Sequence, residues 1–201
     1  VGDRPVEFPL LEVGPLVAVF VAEKRVLEAA AEASAQVGDR GGAGQGVVLE
    51  SDGLGTSGSA VLGVDIRLGF CLRTLERADA ARLENIWLAY GDARLMIPAL
   101  VADASAVEAY LLFPDPWWKR RHARRRHGGL MAQVIGNALM PGGRLVLKSD
   151  IEGYLATICE SFGASPVFTP HDVPSGLPRT DREDRLVPAG VPIFTAAFVK
   201  R

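Results

Sequence analysis

The chain has 201 residues, 48% of them hydrophobic, which suffices for one well-buried core and is too short for two ordinary enzyme domains, so a single domain over residues 1–201 is expected. Charged residues make up 23% and the net charge is -2, so the overall balance alone predicts neither nucleic-acid nor membrane binding. No apolar stretch approaches the ~20 residues needed to span a bilayer, and no basic segment followed by an apolar run opens the chain. Cys71 and Cys159 lack metal-ligand spacing, so the expectation is a cytoplasmic protein with neither a disulfide scaffold nor a metal site.

Short apolar runs alternate with longer segments of helical period, the pattern of a doubly wound α/β fold with a mostly parallel sheet. Leu10–Gly14 reads as a first strand ending in a turn. Val17 to Gln36, rich in Ala, Glu, Leu and Val without Gly or Pro, reads as a helix. Residues 37–60, rich in Gly and Ser, read as an insertion. Val61–Asp65 is a second strand, and Leu68 to Leu83 carries Leu68, Cys71, Leu72, Leu75 and Leu83 at helical spacing. Ile86–Tyr90 is a third strand closed by Gly91-Asp92-Ala93. Ala109–Phe113 is a fourth, ended by Pro114 because proline cannot donate to a sheet ladder. Leu130–Leu139 is helical, Pro141-Gly142-Gly143 is a turn, Arg144–Lys148 is a fifth strand, and a helix runs from Glu152 to about Phe162. Ile193–Val199 closes the chain as a C-terminal antiparallel strand.

The segment with the most chemistry follows the fourth strand. Asp115 stands between Pro114 and Pro116, each of which fixes its own φ and restricts the residue before it, so the carboxylate is held in place. In an open parallel sheet the ligand crevice lies at the carboxyl ends of the strands, where this segment begins. Trp117 and Trp118 follow, and between Lys119 and Arg126 six of eight positions are Lys or Arg. Indole faces stack on extruded bases and cationic side chains neutralise phosphates, so the combination suits RNA. Plainer readings stand beside this one: a basic run also makes a solvated helical face, a Trp pair also packs a core, and Asp115 also fits a helix cap.

The string Phe113-Pro114-Asp115-Pro116-Trp117-x-Lys119-x-Arg121-His122-x-x-Arg125-Arg126 resembles the signature of the tRNA (guanine-N7)-methyltransferase family. The resemblance implies a Rossmann-like methyltransferase fold, S-adenosylmethionine as cofactor and tRNA as partner, with the methyl group delivered to a guanine in the variable loop. Through it, Glu12 and Gly14 match the first-strand residues near the methionine part of the cofactor. Asp65 matches the acid that takes the ribose hydroxyls, which suits a carboxylate able to accept both protons of a cis-diol. Asp92, with Asn85 and Ala93, resembles the position at the adenine edge. Asp115 becomes the central acid, touching cofactor and base. Lys119, Asp150 and the group Thr180, Asp181, Arg182 and Glu183 match positions assigned to the tRNA. Taken alone, Asp65 and Asp92 equally fit helix caps, and Thr180 with Glu183 fits a capping box. His122 and His127 are assigned no chemistry.

The chain departs from the family after its first strand. Methyltransferases of this fold place Gly-x-Gly there, because only glycine lets backbone approach the cofactor closely, whereas this chain has Gly14-Pro15-Leu16. A literal Gly-x-Gly-x-x-Gly stands at Gly53, Gly55 and Gly58 behind the strand-like Val47–Glu50, which leaves open a second assignment with Glu50 in place of Glu12. The altered turn also motivates a rival function, a tRNA-binding relative with weakened or lost catalysis. A nicotinamide-dependent oxidoreductase rests on the glycine pattern alone. A monomer or a homodimer is expected, with no membrane partner.

Overall fold

A computed structural model of the protein describes residues 18–23, 59–80, 82, 85–114, 127–177 and 179–201. The strands are β1 (Ala18–Glu23), β2 (Ser59–Asp65), β3 (Ile86–Tyr90), β4 (Ala106–Leu112), β5 (Leu139–Ser149), β6 (Phe168–His171) and β7 (Phe194–Lys200). The helices are α1 (Leu68–Ala80), α2 (Ala93–Leu100), α3 (His127–Ala138), α4 (Glu152–Gly163) and α5 (Asp181–Leu186). The expected first strand at Leu10–Gly14 and most of the 37–60 insertion lie outside the described residues.

The strands form one seven-stranded sheet in the order β3-β2-β1-β4-β5-β7-β6. β2 is parallel to β3 and β4 is parallel to β5, while β1 runs antiparallel to both β2 and β4. β7 is antiparallel to β5 and to β6, so β2, β3, β4, β5 and β6 share one direction and the C-terminal strand opposes them as expected. The connection β2-α1-β3 moves one way along the sheet and β4-α3-β5 moves the other. Right-handed crossovers in opposite directions demand helices on opposite faces, which gives the doubly wound arrangement.

Side-chain alternation along the strands shows those two faces. Leu62, Val64, Trp87, Ala89, Ala109, Leu111, Leu145 and Leu147 are buried in the larger cluster with Ile97 of α2, Ile135 of α3 and Leu155 of α4. Tyr110, Leu112 and Val146 point the other way, toward Phe70 of α1. At the far edge Phe162, Phe168 and Phe198 meet with ring centroids 5.3 to 6.3 Å apart, tying α4 to β6 and β7.

Two expectations need correction, and one helix is added. The helix expected over residues 17–36 gives way at its start to the strand Ala18–Glu23. Val19, Phe20 and Val21 are β-branched or aromatic and prefer a pleated surface, and the slot between β2 and β4 supplies partners on both sides. The short helix α2, which holds Pro98 in its interior, lies where the sequence reading assigns no element. The turn at Pro141-Gly142-Gly143 sits within β5: Ala106 pairs with Leu139 and Glu108 with Arg144, so residues 140–143 bulge out opposite Val107.

That bulge is tight. A Cβ on Gly143 would lie 2.8 Å from the Met140 carbonyl oxygen and 3.2 Å from that of Ala106, both backbone atoms. Gly143→Ala is therefore expected to lower stability by about 1–3 kcal/mol, the usual cost of overpacking a closed site. Urea denaturation checks this, and an unchanged midpoint would mean that the bulge relaxes freely.

Candidate active site

Because β2, β3, β4 and β5 point the same way, their carboxyl ends share one edge of the sheet, the edge at which open α/β sheets hold ligands. Asp65 ends β2 there and is completely buried. Its Oδ1 accepts the Arg67 backbone N–H at 2.7 Å and Arg67 Nε at 3.3 Å, and its Oδ2 accepts Arg67 Nη2 at 3.3 Å. The guanidinium of Arg67 also lies over the Phe70 ring, 3.9 Å from its centroid. Gly91 N–H donates to the Asp65 carbonyl at 2.9 Å, which binds the ends of β2 and β3 together. Beneath them the Cys71 thiol lies 3.9 Å from the carbonyl oxygens of Asp65 and Ala89. Burial foremost, then the neighbouring Asp65 charge, pushes this thiol up to about 11, so it is no nucleophile at neutral pH.

Asp92 follows β3 and caps α2, accepting the Arg94 N–H at 2.9 Å and pairing with the Arg94 guanidinium. Ala93, the first residue of that helix, is buried. Asp92 thus performs the capping role that its sequence setting also allowed. Asp92→Ala is expected to cost about 1 kcal/mol, whereas Asp92→Asn, an equally good cap, retains most of that stability. Thermal denaturation of both variants checks it, and equal losses would assign the effect to the Arg94 ion pair instead.

Asn85 does not join this group. It precedes β3, where its carbonyl accepts the Val61 N–H at 2.8 Å. The strand Ile86–Tyr90 separates it from Gly91 and Asp92. An extended strand advances about 3.3 Å per residue, so this distance carries Asn85 to the opposite edge of the sheet.

The other half of the edge is built on β4, β5 and α5. Phe113 leaves β4 with its N–H donating to the Lys148 carbonyl at 2.8 Å and its backbone at φ 46°, in the left-handed region. Lys148, near the end of β5, is buried, and its Nζ donates to Glu183 Oε1 at 2.9 Å and Oε2 at 3.0 Å. Glu183 closes a capping box: its Oε2 accepts the Thr180 N–H at 2.8 Å while Thr180 Oγ1 accepts the Glu183 N–H at 3.2 Å. Asp150 lies just beyond β5 and takes Arg182 Nη2 on Oδ2 at 2.7 Å. Asp181 is the first residue of α5. Glu12, Gly14, Asp115 and Lys119 lie outside the described residues.

The structure thus brings Asp65, Asp92 and Ala93 to one half of the edge, and Asp150 with the Thr180–Glu183 turn to the other. Sequence reasoning missed Lys148 and Arg67. Lys148 carried one usable signal, a lysine ending an apolar strand, where a charge needs a buried partner. Among the described residues no group of three or more His, Cys, Asp or Glu side chains is arranged to hold a metal ion. No described helix is long and apolar enough to cross a membrane.

Residues 42–196 match the family described as "Putative methyltransferase". The Myxococcus xanthus tRNA (guanine-N(7)-)-methyltransferase is 38% identical over 136 residues, covering 63% of this chain and 65% of the relative. The protein of the same name from Anaeromyxobacter dehalogenans is 34% identical over 149 residues, 70% of this chain and 74% of the relative. That from Thermosynechococcus vestitus is 31% identical over 108 residues, 53% of this chain and 51% of the relative. The chain therefore spans between about half and three quarters of the length of these relatives. Among solved structures, the aminoglycoside resistance methyltransferase NpmB1 superposes with a TM-score of 0.46 at 15% identity, covering 70% of this chain and 75% of that one. With the family match running through most of the sheet and relatives of one name aligned over comparable lengths, this chain belongs to the tRNA (guanine-N7)-methyltransferase family.

Proposed function

We propose that the protein transfers a methyl group from S-adenosylmethionine to N7 of a guanine in the variable loop of tRNA. The observation that carries this reading is where the signature begins: Phe113 and Pro114 leave β4 on the edge that also holds Asp65, Asp92 and Asp150. On this reading the carboxyl-end edge takes the cofactor acids, and the segment that starts there carries the RNA contacts.

The residues present fit the cofactor. Asp65 is a buried carboxylate at a strand end, and its two bonds from the Arg67 side chain, both 3.3 Å, are longer than the 2.7 Å bond from the backbone. The side-chain pair is the one a ribose cis-diol would replace. When bound, S-adenosylmethionine supplies a methyl group on a sulfonium centre. Guanine N7 carries an in-plane lone pair and no proton, so the protein's work is alignment and exclusion of water, with no obligatory base. Asp115 orients the guanine through its N–H groups and favours the positive charge that develops on the purine. Lys119 and the arginines after it hold the tRNA backbone, in a cytoplasmic enzyme acting as monomer or homodimer.

For the first cofactor acid two findings favour Glu50 over Glu12. The family match starts at residue 42 and so includes Glu50 but not Glu12. Where a helix should follow Glu12, the chain forms β1 instead. Glu50→Ala is expected to weaken S-adenosylmethionine binding about tenfold or more, the scale of a lost hydrogen bond to a charged group, while Glu12→Ala leaves it unchanged. Calorimetry on both variants decides, and loss only at Glu12 would restore the upstream assignment.

The function itself is tested by incubating the protein with labelled S-adenosylmethionine and unmodified tRNA, then mapping the modified base. Label at guanine N7 is expected. Label elsewhere defeats the substrate assignment, and tRNA binding without cofactor binding would establish the non-catalytic reading.

A further inference from the structure

Within the Thr180–Glu183 turn Arg182 makes contacts apart from those of Thr180 and Glu183. Thr180 and Glu183 are buried and turned toward each other, with both Glu183 oxygens taken by Lys148 and one of them shared with the Thr180 N–H. Those bonds hold α5 against β5. Arg182 leaves the same turn in another direction. Its guanidinium lies over the Phe113 ring, 5.3 Å from the centroid, and its Nη2 reaches Asp150. Its Nε is buried and has no hydrogen-bond partner among the described residues.

Phe113 is one of three described non-glycine residues at positive φ, with Arg82 and Ala104, and the only one of them in the site. A non-glycine residue at φ 46° costs about 1–3 kcal/mol and persists only where its surroundings impose it. Its ring is buried against Tyr110, Leu112 and Val146, its N–H is tied to the Lys148 carbonyl, and the guanidinium covers the ring. The direction in which the chain leaves Phe113 passes through Pro114, whose φ is fixed, to Asp115.

We propose that Arg182 is a positioning residue: stacked on Phe113 and anchored to Asp150, it holds the strained exit from β4, the point from which the chain departs toward the signature aspartate. This rests on the methyl-transfer reading above. A planar guanidinium with one edge on a carboxylate and one face on a ring is pre-organised, and lysine cannot replace it. The buried Nε keeps one directed donor unused among the described residues, so the guanidinium is held by its Asp150 bond and the Phe113 ring alone.

Arg182→Lys and Arg182→Ala test this with two readouts. Turnover at saturating tRNA is expected to fall about tenfold to a hundredfold, the scale of a misplaced reacting group, with KM for tRNA within about threefold. Amide exchange at Phe113, whose N–H is bonded to the Lys148 carbonyl, is expected to quicken about tenfold or more in Arg182→Ala, while Val146 and Leu147 in β5 keep their protection. A raised KM with kcat and exchange unchanged would overturn the proposal and make Arg182 a simple phosphate contact. Exchange that quickens equally through β5 would also overturn it, as a general loss of structure. If the wild type methylates no tRNA, the functional reading fails, and the exchange measurement still decides whether Arg182 holds the turn.

Discussion

Lys148→Met is expected to lower the unfolding free energy by about 3–5 kcal/mol, the cost of leaving one member of a buried ion pair without its partner. Lys148 is 4% exposed and the Glu183 side chain 10%, so little solvent is at hand to replace the lost ammonium. Glu183 also accepts the Thr180 N–H, so its carboxylate cannot swing into water without opening the capping box. The strain would therefore appear in α5 first. Lys148→Met combined with Glu183→Gln is expected to recover most of the loss, because glutamine keeps the cap and removes the charge. Urea denaturation of the single and double variants checks both. A single-variant loss below about 1 kcal/mol would mean that the pair behaves as an exposed one.

Asp115→Ala is expected to reduce turnover at saturating tRNA by about a hundredfold to a thousandfold, the scale seen when one pre-organised electrostatic group is removed from a transition state. The prediction follows from the chain around it. Pro114 and Pro116 restrict the backbone on both sides, and Phe113 enters the segment in a conformation that its neighbours impose. On the role proposed for Asp115, its loss falls on the chemical step. Binding of tRNA and cofactor is expected to change by no more than a few fold, since the proposed reading gives the backbone contacts to the basic run. Single-turnover kinetics with tRNA bound is the measurement, and near-normal turnover would remove Asp115 from its central role.

Several elements were legible in the sequence because the signals were local. Ile86–Tyr90 forms β3 with the limits expected of it, a short apolar run ended by Gly91. The helical spacing from Leu68 gives α1, and the antiparallel closing strand is β7. The capping box at Thr180 and Glu183 and the helix cap at Asp92 were both readable as alternatives, since each needs only residues two or three positions apart. The family signature was likewise a contiguous string, so no fold was needed to see it.

What the chain's order could not reveal was set by distant partners. Ala18–Glu23 lies in a stretch with strong helix formers, and only the slot between β2 and β4 makes it a strand and reverses its direction. A strand's residues encode which faces are apolar, whereas its direction depends on the neighbours that satisfy its backbone. Asn85 and Asp92 are close in sequence and lie at opposite ends of β3, because an extended chain carries them apart. Lys148 finds Glu183, and Arg182 finds Phe113 and Asp150, only when β4, β5 and α5 converge. The sequence by itself determined the family, the alternating pattern and the local caps. Tertiary structure decided which charges are buried together, since the desolvation that makes such pairs matter exists only once the chain has closed over them.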